Sequence, residues 1–562
     1  MSGMEVDFDV AAKMRDGTVL RADVYRPTSG GPWPVLLHRT PYGRQWAGNS
    51  LIFDPLQAIA RGYMLVHQDT RGRFGSDGDW LPFTYEVEDG YDTVRWAAAL
   101  PDSNGIVGMI GASYTGNTQW AAAVAAPPEL RAIAPQVTWC DPANGLLFRG
   151  GAIEFGLYVS WSLGNGVPHL ARGAAEDPTG TRSAMASLVA DADDLPRRGY
   201  WELPSGASPA IARAGVPDIG VKRALANPEA AEGATIAGKH DRVRAASFNI
   251  AGWYDIFLQG ALDNHIAMTR LGKPTRLLVG PWDHASILGL QGGVTGEVNF
   301  GMAASSGAIG LATSTTRLQL DWFDHWLKDI DNAIVDGLPV KIFVMGTNVW
   351  RDETEWPPSR AMNQPWHLRA NGALTPEAPT TDEPADHYTY DPADPVPTCG
   401  GAFSMSREFT AGPADQKAVE DRADVLTYTS EPLTADLEVT GRIRVRLHAA
   451  TDGPSTDWVV RLCDVDGKGV SRNLCDGIVR AHGTPGEPAE HDIDLWSTSN
   501  VFRAGHRIRV QVTSSNFPRW DRNLNTGEPA QTATAMRAAR QTILHDAAYP
   551  SHILLPVIPD AG

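Results

Sequence analysis

A chain of 562 residues, 43% hydrophobic and 20% charged, is long enough for two or three domains with separate cores. Its net charge of -18 disfavours nucleic acid or an anionic membrane surface as partner, because no basic face is left to release phosphate counterions. The first nine residues are acidic where a signal peptide is basic, and no apolar run approaches the ~20 residues of a membrane span, so neither secretion nor insertion is expected.

Residues 19–25 alternate after the turn Arg15-Asp16-Gly17 and predict an opening β-hairpin that ends at Pro27. The rhythm then changes: Val35-Leu-Leu is a short buried strand, 51–60 a helix stopped by Gly62, 63–66 a buried strand, 87–100 an amphipathic helix and 106–110 a further strand. Strands alternating with helices imply parallel pairing in a doubly wound α/β sheet. After an alanine-rich helix the pattern breaks at Pro127-Pro128, and 144–239 contains no convincing strand, so it is expected to be a helical insertion lying over the carboxyl ends of the strands. Strand patterns return at 248–251 and 276–279, followed by an aromatic helix at 318–327. Beyond Gly346, period-two runs at 443–447, 458–462 and 508–512 separated by proline-rich turns predict an antiparallel sandwich or jelly roll. The expected domains are 1–143 with 241–345, an inserted 144–240, and 346–562. Cys140, Cys399, Cys463 and Cys475 are far apart with no metal-ligand spacing, which fits reduced thiols in a cytoplasmic protein.

Ile106-Val-Gly-Met-Ile-Gly111-Ala-Ser113-Tyr-Thr-Gly116 sets a serine on a glycine-flanked corner between an apolar strand and a helix, the arrangement of a nucleophile elbow. The spacing is irregular: Thr115 stands two residues after the serine, where glycine is common, and Gly116 follows. A serine hydroxyl needs an imidazole to take its proton and a carboxylate to hold that imidazole, and in an α/β hydrolase these follow in the order acid, then histidine, after later strands. Gly252-Trp-Tyr-Asp255 and Gly280-Pro-Trp-Asp-His284 meet that order, giving Ser113, Asp255 and His284 as the expected triad. Asp283 competes with Asp255, but a residue directly before the histidine points away in extended backbone. His265 and His325 fall in predicted helices and look ordinary. The Tyr114 amide is the expected first oxyanion donor. The second could be the phenol of Tyr42, in the loop His38-Arg-Thr-Pro-Tyr42-Gly-Arg, unless that side chain only caps a turn.

The glycines and arginines of Asp69-Thr-Arg71-Gly-Arg-Phe-Gly-Ser76 resemble a phosphate loop, but the Lys-Ser/Thr pair and following helix are missing. A structural loop held by an Asp69 to Arg71 contact is expected instead. No zinc or EF-hand spacing appears, so no metal and no cofactor are anticipated.

Arg39-Thr-Pro-Tyr42, Gln68-Asp-Thr-Arg-Gly72, Gly111-Ala-Ser113-Tyr-Thr-Gly116, Gly252-Trp-Tyr-Asp255 and Gly280-Pro-Trp-Asp-His284 together resemble the cocaine-esterase-like acyl hydrolases, which are related to X-prolyl dipeptidyl aminopeptidases. Phe343-Val-Met-Gly, Trp350-Arg-Asp-Glu, Leu474-Cys-Asp-Gly-Ile-Val, Ser514-Ser-Asn-Phe-Pro and Asp521-Arg-Asn extend the resemblance over nearly the whole chain. It implies an α/β-hydrolase core, an inserted helical cap and a C-terminal jelly roll. It implies Ser113 as nucleophile, His284 as base, Asp255 as its orienter, and Tyr42 with Tyr114 as oxyanion hole. It also implies an apolar acyl pocket, for which Trp161 and Phe257 could serve. The segments Arg149-Gly-Gly-Ala-Ile-Glu154 and Gly400-Gly-Ala-Phe403-Ser-Met405 depart from what the cocaine-cleaving members lead one to expect.

The function expected is a serine carboxylesterase acting on small-molecule esters with apolar or aromatic acyl groups. The rival is an X-prolyl aminopeptidase or α-amino-acid ester hydrolase, which needs carboxylates such as Glu154, Glu176 or Asp177 at the pocket to hold an ammonium. An inert carbohydrate-binding or scaffold protein is the non-enzymatic alternative. A homodimer is one assembly such a chain could form.

Overall fold

The computed structural model describes residues 3–289 and 291–559. Its first sheet has ten strands: β1 (Met4–Lys13), β2 (Val19–Pro27), β3 (Trp33–Thr40), β4 (Met64–Asp69), β5 (Ser103–Ala112), β6 (Leu130–Gln136), β7 (Ala246–Tyr254), β8 (Thr275–Asp283), β9 (Val340–Val344) and β10 (Val349–Glu353). They lie in the order β1-β2-β4-β3-β5-β6-β7-β8-β9-β10. From β4 to β9 all pairs are parallel, while β1, β2 and β10 pair antiparallel at the two edges. Strands β3, β4 and β7 are buried along their whole length, as expected of a sheet covered on both faces.

Three local expectations are corrected. The predicted helix at 51–60 is two short ones, Asn49–Ile52 and Pro55–Ala60, because Pro55 cannot continue a helix and Asp54 caps the second. The break at Pro127-Pro128 is followed by β6, which the sequence hides behind Pro135. The insertion also carries a two-residue hairpin, Phe148–Arg149 against Ala152–Ile153, turned by Gly150 and Gly151 at φ 53° and 88°. That hairpin docks outward, since the Arg480 amide donates to the Gly150 carbonyl at 2.7 Å. The rest of the insertion is helical, with Phe155–Gly164, Pro178–Asp193 and several shorter helices around one buried cluster that includes Phe155, Tyr158 and Leu188.

The C-terminal part forms an eleven-stranded, predominantly antiparallel network around Trp458, Leu447, Val510 and Ile553. It is the expected β-sandwich, and its period-two burial along Leu437–Thr451 is the pattern that the sequence displays there. The first sheet extends past residue 345, because β10 pairs along β9 from Val340 with Glu353 to Val344 with Val349. No helix among the described residues is long and apolar enough to cross a membrane.

Candidate active site

Ser113 occupies the corner between β5 and the helix Tyr114–Ala125 at φ 60°, ψ -122°, a left-handed conformation that strains a residue with a Cβ. Three neighbours hold it there. The Thr115 hydroxyl accepts from the Ala112 amide at 2.7 Å and donates to the Ala112 carbonyl at 2.8 Å. The Ser113 carbonyl accepts from the Gly116 amide and from the Thr138 hydroxyl, each at 2.9 Å. A Cβ on Gly116 would lie 2.7 Å from Thr138 Cβ and 3.0 Å from the Gln136 carbonyl, so the displaced glycine lets the helix approach the end of β6.

The glycines of the two later motifs have a common cause. A Cβ on Gly252 would sit 2.3 Å from the Trp282 carbonyl, and one on Gly280 would sit 2.3 Å from the Trp282 indole. Trp282 therefore fills the space between the ends of β7 and β8, with its Nε1 donating to the Ala304 carbonyl at 2.7 Å. This packing presents Asp255 and His284 to the serine. His284 Nε2 is 3.1 Å from Ser113 Oγ, and His284 Nδ1 is 2.5 Å from Asp255 Oδ2. The other Asp255 oxygen accepts from the Phe257 amide at 2.7 Å, and the residue is fully buried. Burial disfavours the charged imidazole, yet the Asp255 carboxylate outweighs it and holds the His284 pKa above its ordinary value.

Asp283 does not reach the imidazole. Its Oδ1 accepts from the Ala285 and Ser286 amides at 2.7 and 2.8 Å, which shapes the turn after the histidine. His265 is buried on a helix against Thr275 and His325 lies on the helix Thr315–Lys328, both away from the serine.

Tyr42 follows β3, and its phenol accepts from Trp161 Nε1 at 3.1 Å on the same cavity wall as Ser113. Burial raises the phenol's pKa, and although the bond from Trp161 and the charge of Arg73 work against the rise, it stays protonated and able to donate. The Tyr114 amide opens the helix and has no intrahelical acceptor. The Tyr114 side chain turns away, donating to Glu86 Oε1 at 2.8 Å. Glu86 in turn pairs with Arg39 at 2.8 Å, and Arg39 Nε donates to Gln68 at 3.0 Å. Arg39 and Gln68 of the sequence motifs thus form a buried polar layer under the elbow. Glu86 escaped the sequence reading because an acidic residue in a first helical turn looks like a solvated one.

Ser113 opens onto a cavity of about 210 Å³ whose walls include Trp139, Leu146, Leu157, Trp161, Ile219 and Phe257. Phe257 stands edge-on to the His284 ring with centroids 5.3 Å apart. Among the described residues no carboxylate lines it. Glu154 is buried elsewhere, accepting from Trp520 Nε1 at 2.9 Å, while Glu176 and Asp177 are exposed on the insertion and Asp177 caps the helix Pro178–Asp193. The expected Asp69 to Arg71 contact is also corrected. Asp69 pairs with Arg44, and Arg71 bridges Asp16 and Asp89, because the chain reverses at Gly72 and turns Arg71 toward the opening hairpin.

A family model described as X-Pro dipeptidyl-peptidase (S15 family) matches residues 16–286, and one for the X-Pro dipeptidyl-peptidase C-terminal non-catalytic domain matches 332–554. Cocaine esterase of Rhodococcus sp. (strain MB1 Bresler) is 35% identical over 98% of both chains. The solved aminopeptidase of a marine sediment Thaumarchaeota archaeon superposes with a TM-score of 0.78 at 25% identity over 99% of this chain and 96% of that one. A solved α-amino acid ester hydrolase superposes with a TM-score of 0.75 at 25% identity, covering 99% and 97% respectively. An elbow serine at the carboxyl end of a parallel sheet, a matching catalytic model and a relative similar along its whole length converge: the chain belongs to the S15 X-Pro dipeptidyl-peptidase family, among its cocaine-esterase-like acyl hydrolases, and is a serine ester hydrolase.

Proposed function

We propose that this enzyme is a carboxylesterase for small-molecule esters with an apolar, ring-sized acyl group, working through an acyl-enzyme on Ser113. His284 Nε2 takes the Ser113 proton as Oγ attacks the ester carbonyl, and Asp255 holds the imidazole in the tautomer that can accept it. The oxyanion then rests on the Tyr42 hydroxyl and the Tyr114 amide, each donor worth roughly 3–4 kcal/mol in the transition state. Collapse breaks the bond to the alcohol oxygen, which leaves with the proton from His284. Water, activated by the same imidazole, releases the acid and restores Ser113. No step calls for a metal or cofactor.

The observation that carries the acyl preference is the wall of the cavity beside Ser113. It is lined by aromatic and aliphatic side chains, and its volume of about 210 Å³ exceeds the ~150 Å³ of an apolar cavity that binds benzene. An α-ammonium group there would meet no carboxylate among the described residues, which weighs against the second reading, an aminopeptidase or α-amino-acid ester hydrolase, that the two solved relatives suggest. Parallel assays of phenyl benzoate, a phenylglycine ester and an Ala-Pro anilide separate them. The benzoate is expected to show the highest kcat/KM, and an amino ester that matches it would favour the second reading. Tyr42→Phe is expected to lower kcat on the benzoate by about a hundredfold; a loss under about threefold would remove Tyr42 from the oxyanion hole. We also infer residence in a reducing cytoplasm, supported by the free state of all four cysteines.

A further inference from the structure

A second cavity, of about 530 Å³, meets the first at His284 and Ser404. One wall is the turn Asp283-His284-Ala285, and the other is the loop 403–411 of the C-terminal domain. That loop is built as a fixed feature. Its neck is closed by reciprocal bonds, Gly401 amide to Gly412 carbonyl at 2.7 Å and Gly412 amide to Gly401 carbonyl at 2.9 Å. Its middle is pinned by Tyr200 of the cap, whose phenol donates to Ser406 Oγ at 3.1 Å and whose ring meets Phe409 edge-on. Met405 packs against Gly156, where a Cβ would come within 2.5 Å of its sulfur.

Chemistry decides what this second space is for. When the tetrahedral intermediate collapses, the carbon–oxygen bond to the alcohol breaks, the electron pair stays on that oxygen, and His284 Nε2 delivers the proton to it. The alcohol must therefore lie against His284 on the side away from the acyl cavity. We propose that the second cavity is the leaving-group subsite. It takes a bulky, ring-sized alcohol packed on Phe403, Met405 and Phe409, with a carboxylate or comparable anion at its far end facing Arg407. Arg407 is exposed at the rim and makes no ion pair among the described residues, whereas Asp283 is buried with one oxygen committed to two backbone amides. The positive charge is the one a ligand meets at the far end. The domain that the family model describes as non-catalytic thus selects the alcohol, and the inference rests on the reading of Ser113 and His284 given above.

Three esters of one acid test it: ethyl, 2-naphthyl and 6-carboxy-2-naphthyl benzoate, assayed on the full-length enzyme and on Thr410→Trp and Arg407→Ala. Both substitutions are at exposed positions, so folding is not at stake. Filling the cavity with Thr410→Trp is expected to lower the naphthyl-to-ethyl ratio of kcat/KM by about tenfold or more, the scale of one lost apolar subsite contact. Arg407→Ala is expected to lower the carboxynaphthyl-to-naphthyl ratio by about threefold, the scale of one exposed ion pair. A naphthyl-to-ethyl ratio that Thr410→Trp leaves within about twofold of wild type overturns the subsite. A carboxynaphthyl ratio that Arg407→Ala leaves unchanged overturns the assignment of Arg407. Labelling of Ser113 by an organophosphonate in the same preparations keeps the two readings apart: labelled enzyme with unchanged ratios sinks the leaving-group subsite alone, whereas unlabelled enzyme sinks the serine mechanism.

Discussion

At the scale of single residues, the site turns on which carboxylate reaches the imidazole. Asp255 bonds His284 Nδ1, while Asp283 bonds the turn that follows. Asp255→Asn should hold the wrong tautomer and cost about ten-thousandfold in kcat, whereas Asp283→Asn should act mainly on the position of the turn. In the proposed mechanism only the neutral imidazole takes the serine proton, so kcat/KM is expected to fall as pH drops through the His284 pKa. Because Asp255 holds that pKa above the ordinary imidazole value, the acid limb should lie above it too, and move to lower pH in Asp255→Asn. A pH–rate profile of both proteins reads this directly; a limb that does not move would separate Asp255 from the histidine. The structure brings within hydrogen-bond distance the three residues that the glycine-flanked strand ends single out in the sequence. Arg73 was not legible. This buried guanidinium donates to the Pro41 carbonyl at 2.6 Å and to the Asn165 carbonyl at 3.2 Å, bracing the Tyr42 loop against the cap, and nothing in Asp69-Thr-Arg-Gly-Arg distinguishes it from Arg71.

Between elements, close approach explains the glycines better than turn flexibility does. Gly116 is helical and has no unusual φ, so its Cβ is excluded by Thr138 and Gln136 rather than by backbone conformation. Gly116→Ala should destabilise the protein by about 1–3 kcal/mol through overpacking. It should also reduce kcat, since Thr138 holds the Ser113 carbonyl. Thermal melting and turnover measured together check this, and a variant as stable and active as wild type would show that β6 gives way freely. The elements missed from sequence share a cause: β6 contains a proline, and the hairpin after Phe148 is too short to show a period. Both exist because a neighbouring strand supplies their hydrogen bonds.

Across the whole molecule, the segment that departs from family expectation, Arg149 to Glu154, joins the insertion to the C-terminal domain. Asp476 is fully enclosed, 2.6 Å from Arg519 and 3.8 Å from Arg149, with Arg461 at 4.0 Å. Burial opposes its charge, but the three guanidiniums prevail and hold its pKa below the ordinary carboxylate value. A depressed folded pKa contributes stability that is complete above the unfolded value and disappears as pH falls through the folded one. Asp476→Asn should therefore lower stability by about 3–5 kcal/mol at neutral pH, because it leaves buried guanidiniums without their counter-charge. The loss should shrink in acid, and a thermal midpoint unaffected at pH 7 would mean that water already compensates the cluster.

The sequence by itself determined the reaction class and the alternation of layers, because strand and helix periods, glycine spacing and the order serine, acid, histidine are properties of neighbouring residues. It could not determine partners brought together across hundreds of positions. Asp69 with Arg44 rather than Arg71, Glu86 beneath the elbow, and the loop 403–411 beside His284 are contacts that only packing creates. Selectivity falls in that second group. The serine corner is written in one short segment, but the cavities on either side of it are walled by three parts of the chain whose meeting no local pattern records.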